Sequence, residues 1–106
     1  MAIVYKVKHL PTGLWYKPGS TNLDPVGKIY NSKSTMLSSK GEYTGIRIRV
    51  QKNTKVYKEY GERIEWEAKM RAGYRSNARE VSFITSKEDW ELEKYNETVA
   101  YELIRE

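Results

Sequence analysis

From Ile3 to His9 apolar and polar side chains alternate, with Ile3, Tyr5 and Val7 on one side and Val4, Lys6 and Lys8 on the other. A period of two is that of a β-strand with one face turned inward. Leu10-Pro11-Thr12-Gly13 supplies turn chemistry and Leu14-Trp15-Tyr16-Lys17 a second β-rich run, so residues 3–17 read as a hairpin. Pro18 to Asn22 is a loop that reaches Asp24-Pro25, and a third strand is expected over Lys28 to Asn31. Ser32 to Gly41 is small, polar and without period, which predicts a loop and a mobile one. Tyr43 to Val50 alternates again as a fourth strand, Ile46, Ile48 and Val50 facing one way and Tyr43, Arg47 and Arg49 the other.

Beyond Thr54 the period changes. Tyr57, Tyr60, Ile64, Ala68 and Arg71 fall at helical spacing, although Ile64, Trp66, Ala68 and Met70 also alternate at strand spacing; the length of the segment 55–71 favours a helix. Thr54 suits its N-cap and Gly73 its C-terminal stop, while Gly61 inside it costs about 1 kcal/mol relative to alanine. Val81 to Thr85 is a short β-rich run. Over 86–105 two patterns compete: Ser86-Lys87-Glu88-Asp89 resembles a capping box before a face of Leu92, Tyr95, Val99 and Leu103, whereas Trp90 to Glu93 and Val99 to Leu103 alternate as strands do. The concentration of Trp, Tyr, Val and Thr favours strands. Together these elements predict an α+β fold in one domain, 1–106, an antiparallel sheet of about four or more strands with one helix packed on one face.

At 106 residues the chain can bury one modest core without staples, and with no cysteine it has neither disulfides nor thiolate metal ligands. The N-terminal alternation of apolar and basic residues is not a signal peptide or a membrane span, so the expected setting is a reducing cytoplasm without membrane contact. Charge sharpens the picture. Residues 1–58 hold nine Lys and two Arg against Asp24 and Glu42, a balance of +9, and residues 59–106 carry −4, which together give the net +5. Such asymmetry predicts either an acidic partner, nucleic acid first, or an acidic C-terminal half that folds against the basic strands and neutralises them.

Catalytic readings fail on inventory. His9 is the only histidine, which leaves no His pair or His-rich metal site, and it reads as a strand residue beside the turn. The glycines are scattered as turn residues and form no phosphate loop. The glutamates at 59, 62, 65 and 67 and at 88, 91 and 93 could pair as acid and base or hold Mg²⁺, but at these spacings they read as a solvated face laced with Arg63, Lys69, Lys87 and Lys94. The expectation is a protein without catalytic residues, metal or cofactor.

One pattern stands out. If the N-terminal strands share a sheet, its outer face carries Lys6, Lys8, Trp15, Lys17, Lys28, Tyr30, Tyr43, Arg47 and Arg49. Cations interleaved with flat rings suit single-stranded RNA or DNA, the charges neutralising phosphates and the rings stacking on bases at about 1–3 kcal/mol each. The competing arrangement packs Trp15, Tyr30 and Tyr43 under the C-terminal segment and leaves the lysines to solvate sheet edges.

The string Tyr5-Lys6-Val7-Lys8-His9, Thr12-Gly13-Leu14-Trp15-Tyr16-Lys17-Pro18, Asn22-Leu23 and Gly27-Lys28-Ile29-Tyr30, about a third of the chain, resembles the opening of small accessory proteins encoded by tailed bacteriophages. The resemblance carries no catalytic residues. It implies a protein made in an infected bacterium that binds nucleic acid, inhibits a host enzyme or defence system, or joins the virion. The leading expectation is therefore a non-enzymatic nucleic-acid binder. The alternatives are an interaction module that presents the same basic face to an acidic host protein such as a defence nuclease or toxin, and a virion assembly protein using Trp66, Trp90 and Tyr101 as an apolar patch. Homodimerisation fits all of these.

Overall fold

The computed structural model describes residues 2–19, 21–38, 45, 47–97 and 101–104. It is an α+β fold of two antiparallel sheets. The larger sheet contains β1 (Ala2–His9), β2 (Leu14–Tyr16) and β3 (Leu23–Asp24) from the N-terminal region with β7 (Trp90–Glu97) and β8 (Tyr101–Ile104), in the order β3-β2-β1-β7-β8. The smaller contains β4 (Arg47–Gln51), β6 (Glu80–Ile84) and β5 (Arg75–Ser76), in that order. Among the described residues no helix is long and apolar enough to cross a membrane.

The predicted hairpin is present, His9 pairing with Leu14 and Lys8 with Trp15 around a turn closed by the Gly13 N–H donating to the His9 carbonyl at 2.9 Å. Residues 90–97 and 101–104 form strands, as their composition favours. Helix α2 (Lys55–Lys69) forms where helical spacing and length placed it, and the Thr54 hydroxyl accepts the Tyr57 N–H at 3.3 Å as the N-cap. Its interior Gly61 is buried under the Tyr57 ring, which a Cβ would approach to 3.1 Å. The glycine thus exchanges helix propensity for close packing.

Three expectations are corrected. The third strand is Leu23–Asp24 and not residues 28–31, where Tyr30 alone bridges to Tyr5. Residues 33–38 are not a loop but a short helix, α1 (Lys33–Ser38). The Ser32 hydroxyl accepts the Thr35 N–H at 3.1 Å and Met36, 1 % exposed, anchors the turn to the core. Two adjacent apolar residues in six, of which Met36 alone is buried, cannot display a period. The N-terminal strands also do not all share one sheet: β4 belongs to the smaller one. Asn22 ties the two sheets together, its N–H donating to the Arg49 carbonyl at 2.8 Å and its side-chain oxygen accepting the Arg49 N–H at 2.9 Å.

A single core fills the space between the sheets. Val7, Leu14, Tyr16, Leu23 and Trp90 from the larger sheet meet Ile48, Val50, Val81 and Phe83 from the smaller, with Ile64 and Ala68 of α2 closing it. Each fully buried aliphatic or aromatic side chain there contributes about 1.5–3 kcal/mol.

Candidate functional site

On the larger sheet, paired residues point to the same face, so the cross-strand register decides what surrounds each lysine. Lys6 lies opposite Glu93, Lys8 opposite Glu91, and Trp15 opposite Asp24. The basic N-terminal strand and the acidic C-terminal strand are thus neighbours, and on this face the neutralising arrangement prevails. Lys6 is buried, its ammonium 4.9 Å from the centre of the Trp15 ring and 5.2 Å from that of Tyr95. Burial lowers its pKa, against which Glu93 and Asp24 pull upward. Lys8 sits 5.3 Å from the same Trp15 ring, and the Trp15 indole N–H donates to Glu93 Oε1 at 2.8 Å. The Tyr95 hydroxyl also donates to Glu93, at 2.6 Å, and burial followed by this carboxylate raises the pKa of Tyr95.

These contacts alter the reading of Lys6, Lys8 and Trp15. A ring already lying beneath two ammonium groups offers no clean face for a base, and a lysine held between rings and carboxylates adds little field outward. Replacing Lys6 with alanine is expected to cost about 1–3 kcal/mol of stability, because it leaves Glu93 buried with fewer partners. Urea denaturation of the variant checks this; an unchanged midpoint would contradict it.

Tyr30 is corrected more sharply. It is 1 % exposed and cannot stack on a base. Its backbone pairs with Tyr5 through two 2.8 Å bonds, and a pair shares a face, so Tyr30 follows Tyr5 to the core side of β1 instead of joining Lys6 and Lys8. Lys28 is exposed, with its ammonium 4.8 Å from the centre of the Tyr30 ring. Lys17 is exposed just beyond β2, and Tyr43 lies outside the described residues.

Arg47 and Arg49 lie elsewhere, on the outer face of the smaller sheet. The register sets Arg47 opposite Ile84, Arg49 opposite Ser82 and Gln51 opposite Glu80, while Arg75 of β5 lies opposite Ser82 from the other side. Arg49, Ser82 and Arg75 therefore form one cross-strand row, with the arginines about 10 Å apart at ordinary strand spacing. The Arg47 guanidinium is pinned to the sheet, donating to the Gly73 carbonyl at 2.6 Å and to Ser82 Oγ at 3.0 Å. Gly73 makes this possible. Its φ of +66° favours glycine, and a Cβ would come within 2.9 Å of the Arg47 guanidinium.

Among the described residues, neither Arg47, Arg49 nor Arg75 has a carboxylate partner. The acid of this face is Glu80, and Arg49 and Arg75 are exposed. Some other cations are engaged, Lys52 with Glu65 at 3.9 Å, Arg63 with Glu67 at 3.5 Å and with the Pro11 carbonyl, and Arg71 with Asp89 at 3.3 Å, whereas Lys17, Lys33, Lys58, Lys69, Arg79 and Lys87 are exposed but scattered over other elements. Arg75 escaped the sequence reading because a two-residue strand shows no alternation. The available signal was Asn77, whose side-chain oxygen accepts the Arg79 and Glu80 N–H groups and turns the chain from β5 into β6.

The remaining polar clusters serve the fold. His9 is fully buried between Phe83 and Trp90, its Nδ1 2.8 Å from the Thr12 hydroxyl and its Nε2 3.9 Å from Asp89. The alignment mimics a nucleophile, base and acid, but Thr12 also accepts the Leu14 N–H of the hairpin and the imidazole has no contact with solvent. Of the α2 glutamates, Glu59 is tied to Lys55, Glu65 to Lys52 and Glu67 to Arg63 and Arg71, while Glu62 is exposed. No cluster of metal-ligating side chains occurs among the described residues. The expected Trp66, Trp90 and Tyr101 patch is not assembled: Trp90 is buried against His9 and Tyr16, Trp66 stands exposed on α2, and the Tyr101 side chain lies outside the described set.

Comparison with models of known protein families, with curated proteins and with solved structures gave no match.

Proposed function

We propose that this protein binds nucleic acid through the outer face of its smaller sheet, with Arg47, Arg49 and Arg75 contacting phosphates. The observation that carries this reading is the gathering on one sheet face of guanidinium groups without carboxylate partners among the described residues, one of them held in place by Gly73 and Ser82. A guanidinium fixed before binding loses little freedom when a phosphate arrives. The setting is the one implied by the N-terminal resemblance, an accessory protein made in an infected bacterium. No catalytic step is assigned to it.

A face that neutralises about three phosphates binds weakly at physiological salt, on the order of 10–100 μM, and its log K falls with log salt at a slope of about −2 to −3. Joint replacement Arg49→Glu and Arg75→Glu is expected to weaken binding by at least about tenfold at low salt and to flatten that slope by about 2. Fluorescence anisotropy with a labelled oligonucleotide measures both quantities. Unchanged affinity in the double variant would remove the proposal, and the exposed positions of both side chains keep loss of folding from imitating the effect.

A protein partner is the second reading, and α2 carries it. Trp66 is 67 % and Met70 61 % exposed, one helical turn apart on its outward side. Retention of a host protein from nuclease-treated bacterial lysate, lost in Trp66→Ala but kept in the arginine double variant, would favour this reading over the first.

A further inference from the structure

Resting on that reading, we infer that the arginine face takes double-stranded nucleic acid by its phosphate backbone, without regard to base sequence and in preference to a single strand. Binding of single strands without sequence preference combines a cationic groove with rings on which successive bases stack. Among the described residues the arginine face supplies the cations and lacks the rings. Its side chains are Arg47, Arg49, Gln51, Arg75, Glu80, Ser82 and Ile84. Of the three rings expected on a basic face, Tyr30 is committed to the core and Trp15 to Lys6, Lys8 and Glu93, and Tyr43 lies outside the described residues.

What remains is charge on a rigid support, and charge alone favours the duplex. Its phosphates are more densely set, and each contact releases more bound counterion, about 0.9 per phosphate against about 0.7 for a single strand. The duplex also holds its phosphates in a fixed lattice, which suits arginines spaced by a sheet. A single strand must be ordered to meet the same spacing.

Base reading has no foothold. A bidentate contact to guanine requires a guanidinium presented at a set angle. Arg47 is the one held at a set angle, but it already spends an NH group on Gly73 and Ser82, while no hydrogen-bond or ion-pair partner among the described residues orients Arg49 or Arg75. Ser82 is buried, and Gln51 is half-buried opposite Glu80.

The test uses the full chain with labelled DNA duplexes of about 20 base pairs and two unrelated sequences, and with their component single strands, at low salt. The expected result is that the two duplexes bind within about threefold of each other and that the single strands bind about tenfold more weakly. Arg49→Glu should lower affinity for both duplexes equally. A single strand bound as tightly as its duplex, or a preference above about tenfold between the duplex sequences, overturns this inference while leaving the phosphate-binding face intact. Absence of binding to every oligonucleotide, or binding indifferent to Arg49→Glu, overturns both.

Discussion

Tyr30→Ala is expected to lower the free energy of unfolding by about 3–5 kcal/mol, the range for deleting a large buried aromatic side chain, and to leave the nucleic-acid affinity of the folded fraction unchanged. The ring is 1 % exposed within the core that joins both sheets, and the residue extends the pairing of β1 past the end of β2 through its bonds with Tyr5. Truncation would open a cavity where Met36 of α1 and the larger sheet share that core. A stacking residue would behave in the opposite way, losing affinity with little change in stability. Urea denaturation followed by tryptophan fluorescence, with anisotropy measured on the same preparation, separates the two. A stability loss below about 1 kcal/mol combined with weakened binding would return Tyr30 to the interface.

The contrast between Tyr30 and its neighbours shows where a sequence pattern stops being informative. Ile3 to His9 alternates long enough to fix which residues share a face, and the hairpin to residue 17 follows. Lys28-Ile29-Tyr30 is too short to do so. A shift of one residue exchanges the faces of a strand, and here the exchange is decided by the Tyr5 backbone, far away in the chain. Helix α2 was legible because its length and its N-cap Thr54 agreed with its period, and the C-terminal strands because Trp, Tyr, Val and Thr outweighed a capping signal that belongs to a single 3-10 turn, Lys87–Asp89.

The candidate site was legible only in part, for a related reason. Arg47 and Arg49 were visible as outward residues of an alternating strand. Their separation from Lys6, Lys8 and Trp15 was not, because it depends on which sheet β4 enters, and Asn22 rather than any periodicity sets that join. The charge asymmetry was visible as a sum. Its outcome required the register, in which Glu91 and Glu93 meet Lys8 and Lys6 from the far end of the chain. Part of the positive charge that finds no such partner among the described residues lies on the smaller sheet, at Arg47, Arg49 and Arg75.

His9 provides the other large expected effect. Burial, followed by the Arg71 charge, lowers its pKa from 6.5 to about 3, so the folded protein keeps the imidazole neutral where the unfolded chain would take up a proton. Between those two values the unfolded state binds more protons, and stability therefore rises with pH; it is lost as pH falls from 6.5 towards 3. The limiting slope for one group is about 1.4 kcal/mol per pH unit, and the whole window amounts to several kcal/mol, on the order of the net stability of a small domain. The geometry agrees with the direction. Nδ1 already has the Thr12 hydroxyl at 2.8 Å, and Asp89, which might have welcomed a proton on Nε2, stands 3.9 Å away and is shared with Arg71 at 3.3 Å. In a His9→Gln variant the dependence should flatten between pH 6.5 and 5, above the range in which most carboxylates titrate, even though the variant is less stable at pH 7. Denaturation midpoints of both proteins at pH 7, 6 and 5 decide it: parallel curves would mean that the His9 imidazole takes up its proton inside the fold, and that the cluster of Thr12, Asp89 and Arg71 holds an imidazolium.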